Sequence, residues 1–573
     1  MAASDEPQPR DADATVLSGV PIYLRHDRAP VAAIGILDGH VHAAGPLEHV
    51  LATLPPNPRQ LTFDRGALLP AFVDAHQHAF LDAVDQPTAD LRLHAHDLPS
   101  LLAQVRHHAT VDAALNAALN AALDDAPWLR LHGYLPSELR EQRSPTAAEL
   151  DPVVSDRPVH LLSRTYHESV VNSAGLDALG IGRTTPDPVG GQIVRDRSGR
   201  PTGVLIETAS FAAEARSRRP LDTSWADRLS AHAQRLLALG ITRIADAAVP
   251  AAIADRVVTL CREAGVDVVP LLVDDRISEP ALQAGSTAKV LIDGGERSHL
   301  CYTPRQLRTG LLSALAAPLR ARSRTDLAMA KAILRSDRFR RGTDGTWNHG
   351  TWQYDTDSLR ALMRRAADAG SALAIHAIGN GALLTVLAAR EADPVLAQAV
   401  PMRIEHAMVV DPGLIGRLAD ARLTVVTQPG FLPAMGRSLT LVPPAPPLQL
   451  MPYRAMLRAG VALAFSSDHP AADLDPWHWV AAAVTRRDDT GRTVLPDQAI
   501  TVSQALDAAT RGAAAVLGEA PGVHSGPIGG SLERGERADL IWADADPHQT
   551  APESLAAIRT LTTWRAGRLR ACL

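Results

Sequence analysis

Two histidines separated by a single residue are the first side chains in the sequence that point to metal chemistry. His76 and His78 follow the largely apolar run 68–75. Alternate side chains of a strand share a face, so both imidazoles project to one side with Cα atoms about 6.5 to 7 Å apart. Neutral imidazole nitrogens bind Zn²⁺ at about 2.0 to 2.1 Å. Taken alone, such a pair is more often two ordinary hydrogen-bonded or surface histidines, so a metal site requires further ligands.

Further polar residues that could take part in a metal site stand where an apolar stretch gives way to a loop. They are Lys289, His376, His406 and Asp468. Each has an ordinary explanation on its own: a surface cation, a hydrogen-bonded histidine or a turn-forming aspartate. Asp74 shares the face of the histidine pair, either as a partner of one imidazole or as a buried acid held by backbone donors.

The elements that must position these residues alternate between short apolar strands and amphipathic helices. This alternation predicts an α/β protein with parallel strands, and a (β/α)₈ TIM barrel suits the length better than an open sheet. The strand candidates are 71–78, 128–133, 158–165, 241–246, 267–273, 288–293, 372–376, 402–406, 423–427 and 462–467. The carboxyl ends of barrel strands face one mouth, so we expect the candidate ligands to converge there.

More than eight strand candidates occur, and the surplus predicts an insertion subdomain at about 124–225 that leaves the second barrel strand unassigned. The barrel domain is expected over 67–524, and a small composite β-sandwich over 1–66 plus 525–573, because both termini have β-rich patterns. Residues 297–341 are arginine-rich, which fits either a lid for an anionic substrate or a solvated helix face. Residues 358–369 have a helical apolar pattern, with Asp357 as the expected cap and Gly370 after the end.

Composition restricts the class of partner. The chain has 573 residues, a net charge of −6 and 46% hydrophobic residues, which favours a small-molecule substrate over a nucleic acid. No apolar run reaches transmembrane length and no signal segment is visible, so we expect no membrane partner. The only cysteines are Cys261, Cys301 and Cys572, without Cys-x-x-Cys spacing. This usage suits the cytoplasm and requires N and O ligands for any metal. A homo-oligomer is compatible with the sequence.

The order of motifs resembles that of the amidohydrolase superfamily, and specifically amidohydrolase family 3, the YtcJ-like branch. The matching segments span nearly the whole chain: 69–78, 166–174, 189–196, 203–207, 289–294, 376–379, 403–407, 467–470 and 530–540. The resemblance implies a TIM barrel with a β-sandwich from both termini. It also implies one or two divalent ions, most simply Zn²⁺, with His76 and His78 on one ion and His376 and His406 on a second.

In this resemblance Lys289 is an N-carboxylated bridge and Asp468 lies near the bridging water. A lysine ammonium cannot bind a cation, whereas its CO₂-derived carbamate has two oxygens that can. An unmodified Lys289 would instead leave a mononuclear site. The implied chemistry is attack by an activated water, with Asp468 accepting its proton and delivering it to the leaving nitrogen.

The function expected is therefore metal-dependent hydrolysis of a C–N bond other than a peptide bond, with N-acyl or N-formyl amines as the leading substrates. One alternative is deamination of an aminated heterocycle. An alternative of another class is a catalytically inactive metal-binding barrel with a regulatory role. His167 and Glu168 are candidates for substrate contact, and a structural role in the insertion is equally compatible with the sequence.

Overall fold

The structure is a computed structural model that describes residues 13–85, 91, 95–119, 128–218, 224–274, 279–295, 297–320, 339–441, 447–518 and 529–572. Among these residues no helix is long and apolar enough to cross a membrane.

Eight parallel strands form the centre of the molecule. In spatial order they are Phe72–Gln77, Ile241–Pro250, Asp267–Val273, Thr287–Leu291, Ala372–Ala377, Met402–His406, Thr424–Thr427 and Leu463–Phe465. The last strand returns beside the first, where the Asp468 N–H donates to the His76 carbonyl at 2.8 Å. The predicted α/β barrel is therefore confirmed, and Ile241–Pro250 is its second strand.

Helices surround the barrel and carry the connections between its strands. They are Ala79–Asp85, Trp225–Ala238, Ala254–Glu263, Pro304–Arg320, Thr356–Ala369, Asn380–Ala392, Pro394–Ala399, Pro412–Asp420, Phe431–Leu441, Tyr453–Arg458, Pro476–Thr485, Val502–Asp507 and Ala513–Gly518. The helix expected from residue 358 begins at Thr356, so Asp357 is not its cap. Asp355 caps it instead, and Gly370 ends it with φ of 66°.

The strands of both termini join in one hydrogen-bonded sheet. Its members are Ala14–Ile22, Val31–Leu37, His40–Gly45, Arg59–Thr62, Ala67–Pro70, Leu540–Ala543, Thr560–Arg565 and Arg568–Cys572, with the helix Leu47–Thr53 beside them. Ala67–Pro70 pairs antiparallel with Leu540–Ala543 and leads directly into the first barrel strand. We propose to count this sheet as one domain and to place its boundary with the barrel at Ala71, four residues later than the sequence suggests.

A five-stranded sheet is inserted between the first two barrel strands. Its strands are Leu129–Tyr134, Val159–Ser163, Glu168–Val171, Gly191–Arg195 and Pro201–Glu207, and its helices are Leu98–Leu119, Ala147–Leu150, Ser173–Ala178 and Thr208–Ser217. The first two of these strands are parallel to each other, which explains why they resemble barrel strands in the sequence. The insertion presents the loop 164–167 to the barrel mouth.

The arginine-rich segment 297–341 lies between the fourth and fifth barrel strands. It contributes Leu300–Tyr302 and Arg340–Arg341 to a three-stranded sheet with Trp347–His349. Arg322, Arg324 and Arg338 and the side chain of Arg320 lie outside the described residues. The lid and solvated-face interpretations therefore both stay predictions. A further short sheet pairs Val409–Val410 with Gln449–Leu450.

Candidate metal centre and active site

The side chains expected to bind metal line one cavity at the carboxyl ends of the barrel strands. They are His76, His78, Lys289, His376, His406 and Asp468. Each is carried by a buried strand or by the loop that follows it, because an apolar strand flanked by helices fixes where its last residues point. The cavity wall also includes three residues of the insertion: Tyr166, His167, and Phe211 from the helix Thr208–Ser217.

His76 is held by a chain of buried charged groups. Its Nδ1 lies 2.6 Å from Glu405 Oε2, and Arg403 Nε donates to Glu405 Oε1 at 2.6 Å. Burial alone would raise the pKa of Glu405, but Arg403 and His76 hold it below its usual range. Burial and the adjacent Lys289 lower the pKa of His76 to about 4. The imidazole is therefore neutral near pH 7, with Nδ1–H donated to Glu405 and Nε2 directed at the cavity.

His78 is oriented in a similar way by the backbone. Its Nδ1–H donates to the carbonyl of Ala247 at 3.0 Å. The two Nε2 atoms then face the same carboxylate oxygen, Asp468 Oδ1, at 3.2 Å from His78 and 3.4 Å from His76. Neither contact has hydrogen-bond geometry, since Asp468 Oδ1 has no hydrogen-bond partner among the described residues.

His406 and His376 form the opposite side of the cluster, with ring centroids 4.5 Å apart. Gln428 Oε1 lies 2.9 Å from His406 Nδ1, which leaves Nε2 on the cavity side. Burial lowers the pKa of His406 to about 3 and that of His376 well below its usual value. Because of these lowered pKa values, both rings are neutral near pH 7, the form that binds metal. His376 Nε2 lies 3.7 Å from Asp293 Oδ1.

Lys289 reaches the same point from the fourth barrel strand. Its side chain is buried and Nζ lies 3.2 Å from His76 Nε2. Burial lowers the pKa of Lys289 to about 8, despite the nearby carboxylates of Glu405 and Asp468. An appreciable fraction of the side chain is therefore an uncharged amine near neutral pH.

Several residues of the cavity wall have backbone conformations that L-residues rarely adopt. Tyr166, Ala248, His406 and Asp468 have φ angles of 64°, 63°, 77° and 52°. The positive φ of His406 lies at the end of its strand, where Glu405 contacts His76 and the neighbouring His406 lines the cavity. Positive φ at non-glycine residues stores strain and occurs preferentially at functional sites.

The whole donor set suits a divalent cation. The imidazoles of His76, His376 and His406 are neutral near pH 7. Burial would raise the pKa of Asp468, but the neighbouring histidines outweigh it and hold that pKa below its usual range. The candidate atoms of His76, His78 and Asp468 lie within 4.8 Å of one another. Neutral imidazoles and a carboxylate are the ligands that Zn²⁺ and related ions prefer.

Comparison with known proteins identifies the family. The sequence profile of the amidohydrolase family matches residues 66–571. The chain belongs to the amidohydrolase family. It is a metal-dependent hydrolase acting on C–N bonds of the amide type, as the sequence predicts.

Relatives of this amidohydrolase match it over most of its length. It is 30% identical over 566 residues to an N-substituted formamide deformylase from Arthrobacter pascens, covering 94% of each chain. It is 25% identical to the putative amidohydrolase YtcJ of Bacillus subtilis, over 94% of this chain and 95% of the relative. A solved structure of an uncharacterized metal-dependent hydrolase from Pyrococcus horikoshii superposes with a TM-score of 0.62 at 21% identity, covering 94% and 99% of the two chains. This last likeness concerns the fold alone.

The two candidates for substrate contact have different surroundings in this amidohydrolase. His167 lines the cavity, its ring centroid 5.1 Å from that of His376, and its Nδ1 lies 2.6 Å from Glu207 Oε2. Glu168 is buried in the insertion sheet, where its carboxylate accepts a hydrogen bond from the Ser144 hydroxyl. The cavity wall does not include Glu168.

Asp74 does not contact an imidazole nitrogen in the described structure. Its Oδ1 accepts from the N–H of Ser467 at 3.0 Å and of His76 at 3.2 Å. Its Oδ2 accepts from the Ser467 hydroxyl at 2.5 Å. It is thus the buried acid of the two alternatives, and it joins the first strand to the loop that carries Asp468.

Sequence reasoning missed the residues that orient the histidines, namely Glu405, Gln428, Asp293 and Glu207. Glu405 stands next to His406 in the sequence, and a charged residue inside an apolar strand is a signal that would have found it. Asp293 accepts backbone N–H bonds from Ile378, Gly379 and His299. It thereby fixes the turn after His376, and nothing in its spacing predicts that role.

Proposed function

We propose that this amidohydrolase hydrolyses N-formyl amines to the free amine and formate, and that its metal is zinc. The observation that carries the substrate class is the 30% identity to an N-substituted formamide deformylase over 94% of both chains. The convergence of His76, His78, His376, His406 and Asp468 on one cavity supports the same chemistry. The three widely separated cysteines favour the cytoplasm as its location.

The ligand pairs of the metal centre are those that the family resemblance implies, and the orientations of His76, His78 and His406 support them. His76 and His78 would hold one ion through Nε2, and His376 and His406 a second, with the Asp468 carboxylate beside His76 and His78. A divalent cation bound there supplies a Lewis acid that lowers the pKa of water to about 7 and polarises a carbonyl. Glu405, Gln428 and the Ala247 carbonyl hold the rings in the orientation and tautomer that ligation requires.

Lys289 is proposed to carry a carbamate. Its pKa of about 8 leaves part of the side chain as a neutral amine, which is the form that adds CO₂. The product is an anion with two oxygen donors, whereas a bare ammonium 3.2 Å from His76 Nε2 would repel a cation. The buried position keeps the group away from bulk water.

Asp468 is proposed to move the proton during catalysis. Its carboxylate is ionised, and Oδ1 faces both histidines of the first strand without a hydrogen-bond partner. It accepts a proton from the attacking water and delivers it to the nitrogen of the amide, so that the C–N bond breaks with a neutral amine as leaving group.

The remainder of the cavity suits an uncharged substituent on that nitrogen. Leu81, Tyr166, Phe211 and Leu291 contribute apolar or aromatic wall. Arg164 is the one arginine that the described residues contribute to the wall, and its Nη2 already donates to Glu138 at 2.6 Å. An alkyl or aryl formamide therefore fits the cavity better than a substrate with a carboxylate in that position.

Two other functions use the same scaffold. A deaminase would attack a ring carbon of an aminated heterocycle and release ammonia. A catalytically inactive barrel would bind metal and ligand without turnover, and the ionised Asp468 disfavours it.

The experiment is metal analysis of the purified protein, followed by a substrate screen. The panel contains N-alkyl and N-aryl formamides, the matching acetamides, lactams and aminated heterocycles. We expect zinc with the protein and formate release that is fastest on N-substituted formamides. Ammonia release from heterocycles without formate release would establish deamination, and metal binding without turnover of any class would overturn the proposal.

A further inference from the structure

A second group of possible metal ligands lies outside the active-site cavity. Asp82, His232 and His469 are all buried, and one ligand atom from each lies within 4.8 Å of the others. Asp82 belongs to the helix Ala79–Asp85, His232 to the helix Trp225–Ala238, and His469 follows Asp468 in the loop after the last barrel strand. The cavity wall includes none of the three side chains.

The distances within this group match those between two ligands of one ion. Asp82 Oδ2 lies 3.6 Å from His469 Nε2 and 3.7 Å from His232 Nδ1. Hydrogen bonds of this type are about 2.7 to 3.2 Å long. Two ligands placed tetrahedrally at about 2.1 Å from Zn²⁺ are about 3.4 Å apart. The distances in the main centre are close to the same expected separation, since Asp468 Oδ1 lies 3.2 and 3.4 Å from two imidazole nitrogens.

His232 is oriented by the residue between the two histidines of the first strand. His232 Nε2 lies 2.8 Å from Gln77 Oε1, so an Nε2–H donated to Gln77 leaves Nδ1 as the nitrogen that faces Asp82. Because strand side chains alternate, Gln77 points away from the cavity that His76 and His78 face. A hydrogen bond at the far nitrogen is the usual way in which a metal-binding histidine is held.

His469 provides an independent indication of a ligand. Its Nε2 is buried, is directed at Asp82, and has no hydrogen-bond partner within the described part of the chain. The residue as a whole is 7% exposed. A carboxylate oxygen faces this nitrogen at 3.6 Å, beyond hydrogen-bond distance, so an ion between the two atoms would satisfy the imidazole.

We propose that Asp82, His232 and His469 bind a divalent transition-metal ion of the Zn²⁺ class, separate from the catalytic centre. Two imidazoles and one carboxylate form a suitable ligand set, with water in the remaining position. The ion would connect the helix that follows His78 to the loop that carries Asp468. Those two segments already meet through the hydrogen bond from His78 N–H to the His469 carbonyl at 2.9 Å. The site would therefore position the catalytic loop and take no part in bond cleavage.

The test is the number of zinc equivalents per chain in the full-length protein after gel filtration. His232→Gln is the primary variant because this residue is remote in sequence from the catalytic ligands. His160→Gln is the matched control, since His160 is also buried and pairs through Nδ1 with Ser217 Oγ at 2.7 Å. His406→Ala perturbs the catalytic centre alone. We expect His232→Gln to lose one equivalent, His160→Gln to lose none, and His406→Ala to keep the equivalent that His232→Gln loses.

An unchanged zinc content in His232→Gln would overturn the second site and leave an ordinary buried polar triad. This result is distinct from failure of the catalytic assignment, in which His406→Ala would have the zinc content of the wild type. If His232→Gln does not fold, anomalous diffraction at the zinc edge from zinc-grown wild-type crystals decides the question. A peak about 2 Å from His469 Nε2 supports the site, and no peak there overturns it.

Discussion

The position and the charge state of Asp468 both favour a role as proton acceptor. Its φ of 52° turns the carboxylate back toward the first strand, and its N–H holds that strand through the His76 carbonyl. The surrounding histidines keep the group ionised in spite of its burial. It is therefore ready to accept a proton near neutral pH, which no amide side chain can do.

The variant Asp468→Asn tests this role. We expect kcat on an N-formyl amine to fall by about 10² to 10⁴, the usual contribution of a general base, because the amide cannot accept the proton. Steady-state kinetics measures the loss of turnover, and zinc analysis shows separately whether the variant still binds the metal. The control is Asp473→Asn in the same loop, where the carboxylate pairs with His478 at 2.7 Å on the surface. Wild-type turnover in Asp468→Asn would contradict the assignment.

Lys289→Ala tests the carbamate. The variant lacks the only amine among the candidate ligands, so we expect most of the zinc and the activity to be lost. A small carboxylate such as acetate or propionate should restore part of the activity, because it supplies two oxygens in the space that the lysine vacates.

Labelled bicarbonate provides the direct measurement for Lys289. NMR of the wild-type protein with isotopically labelled bicarbonate should show a carbamate carbon that the alanine variant lacks. A wild-type protein that holds two zinc ions beside a bare lysine would rule out the modification.

At the scale of elements, the sequence predicts the strands but not every boundary. The apolar runs before His376 and His406 predict 372–376 and 402–406, and the structure has Ala372–Ala377 and Met402–His406. Hydrophobic periodicity is local, so these elements can be recognised without knowledge of their neighbours. The assignment of Ile241–Pro250 as the second barrel strand is different, because it depends on which strands pair across the long insertion.

The partners of the site residues were harder to predict for the same reason. His76 and Glu405 are 329 positions apart, yet their side chains are 2.6 Å from each other. Asp82, His232 and His469 similarly come from three separate elements. Spacing in the sequence identifies pairs on one element, such as His76 and His78, and gives no information about contacts across a barrel.

The helix Thr356–Ala369 offers a prediction about an element boundary. Asp355 Oδ1 accepts from the Ser358 N–H at 2.8 Å, and Ser358 Oγ accepts from the Asp355 N–H at 2.9 Å. Asp355→Ala removes this cap, and we expect a loss of about 1 kcal/mol in helix stability. Faster hydrogen exchange in the first turn is the expected signal. Asp357→Ala is the control, since that side chain is 91% exposed, and equal exchange in the two variants would contradict the capping assignment.

At the scale of the whole molecule, the terminal sheet is attached to the barrel by polar groups as well as by apolar packing. Arg537 and Arg565 both bind Asp267 at the start of the third barrel strand. The Thr563 hydroxyl donates to the Leu237 carbonyl at 2.7 Å. The sheet and the barrel therefore share buried contacts, and we expect them to unfold together.

His26 should make the stability of this assembly depend on pH. It lies buried beside Tyr23 and His548, which stack on each other with ring centroids 4.2 Å apart, and neither of its ring nitrogens has a hydrogen-bond partner in the described structure. Burial lowers its pKa from 6.5 to about 3, with smaller effects from His548 and Arg511 that outweigh the attraction of Asp27. Below pH 6.5, therefore, His26 binds a proton in the unfolded chain but stays unprotonated in the folded protein.

The sign of the effect follows from that difference. The contribution of His26 is complete above pH 6.5 and falls by about 1.4 kcal/mol for each pH unit below it, until the pH nears the folded pKa. Between neutral pH and about pH 5 the loss is about 2 kcal/mol. His26→Phe keeps a buried aromatic ring but cannot be protonated, so we expect its melting temperature to exceed that of the wild type increasingly as the pH falls. Thermal unfolding at pH 7 and at pH 5 measures this difference, and His49→Gln is the control because His49 is exposed. Parallel pH profiles for His26→Phe and the wild type would show that His26 is protonated in the folded protein.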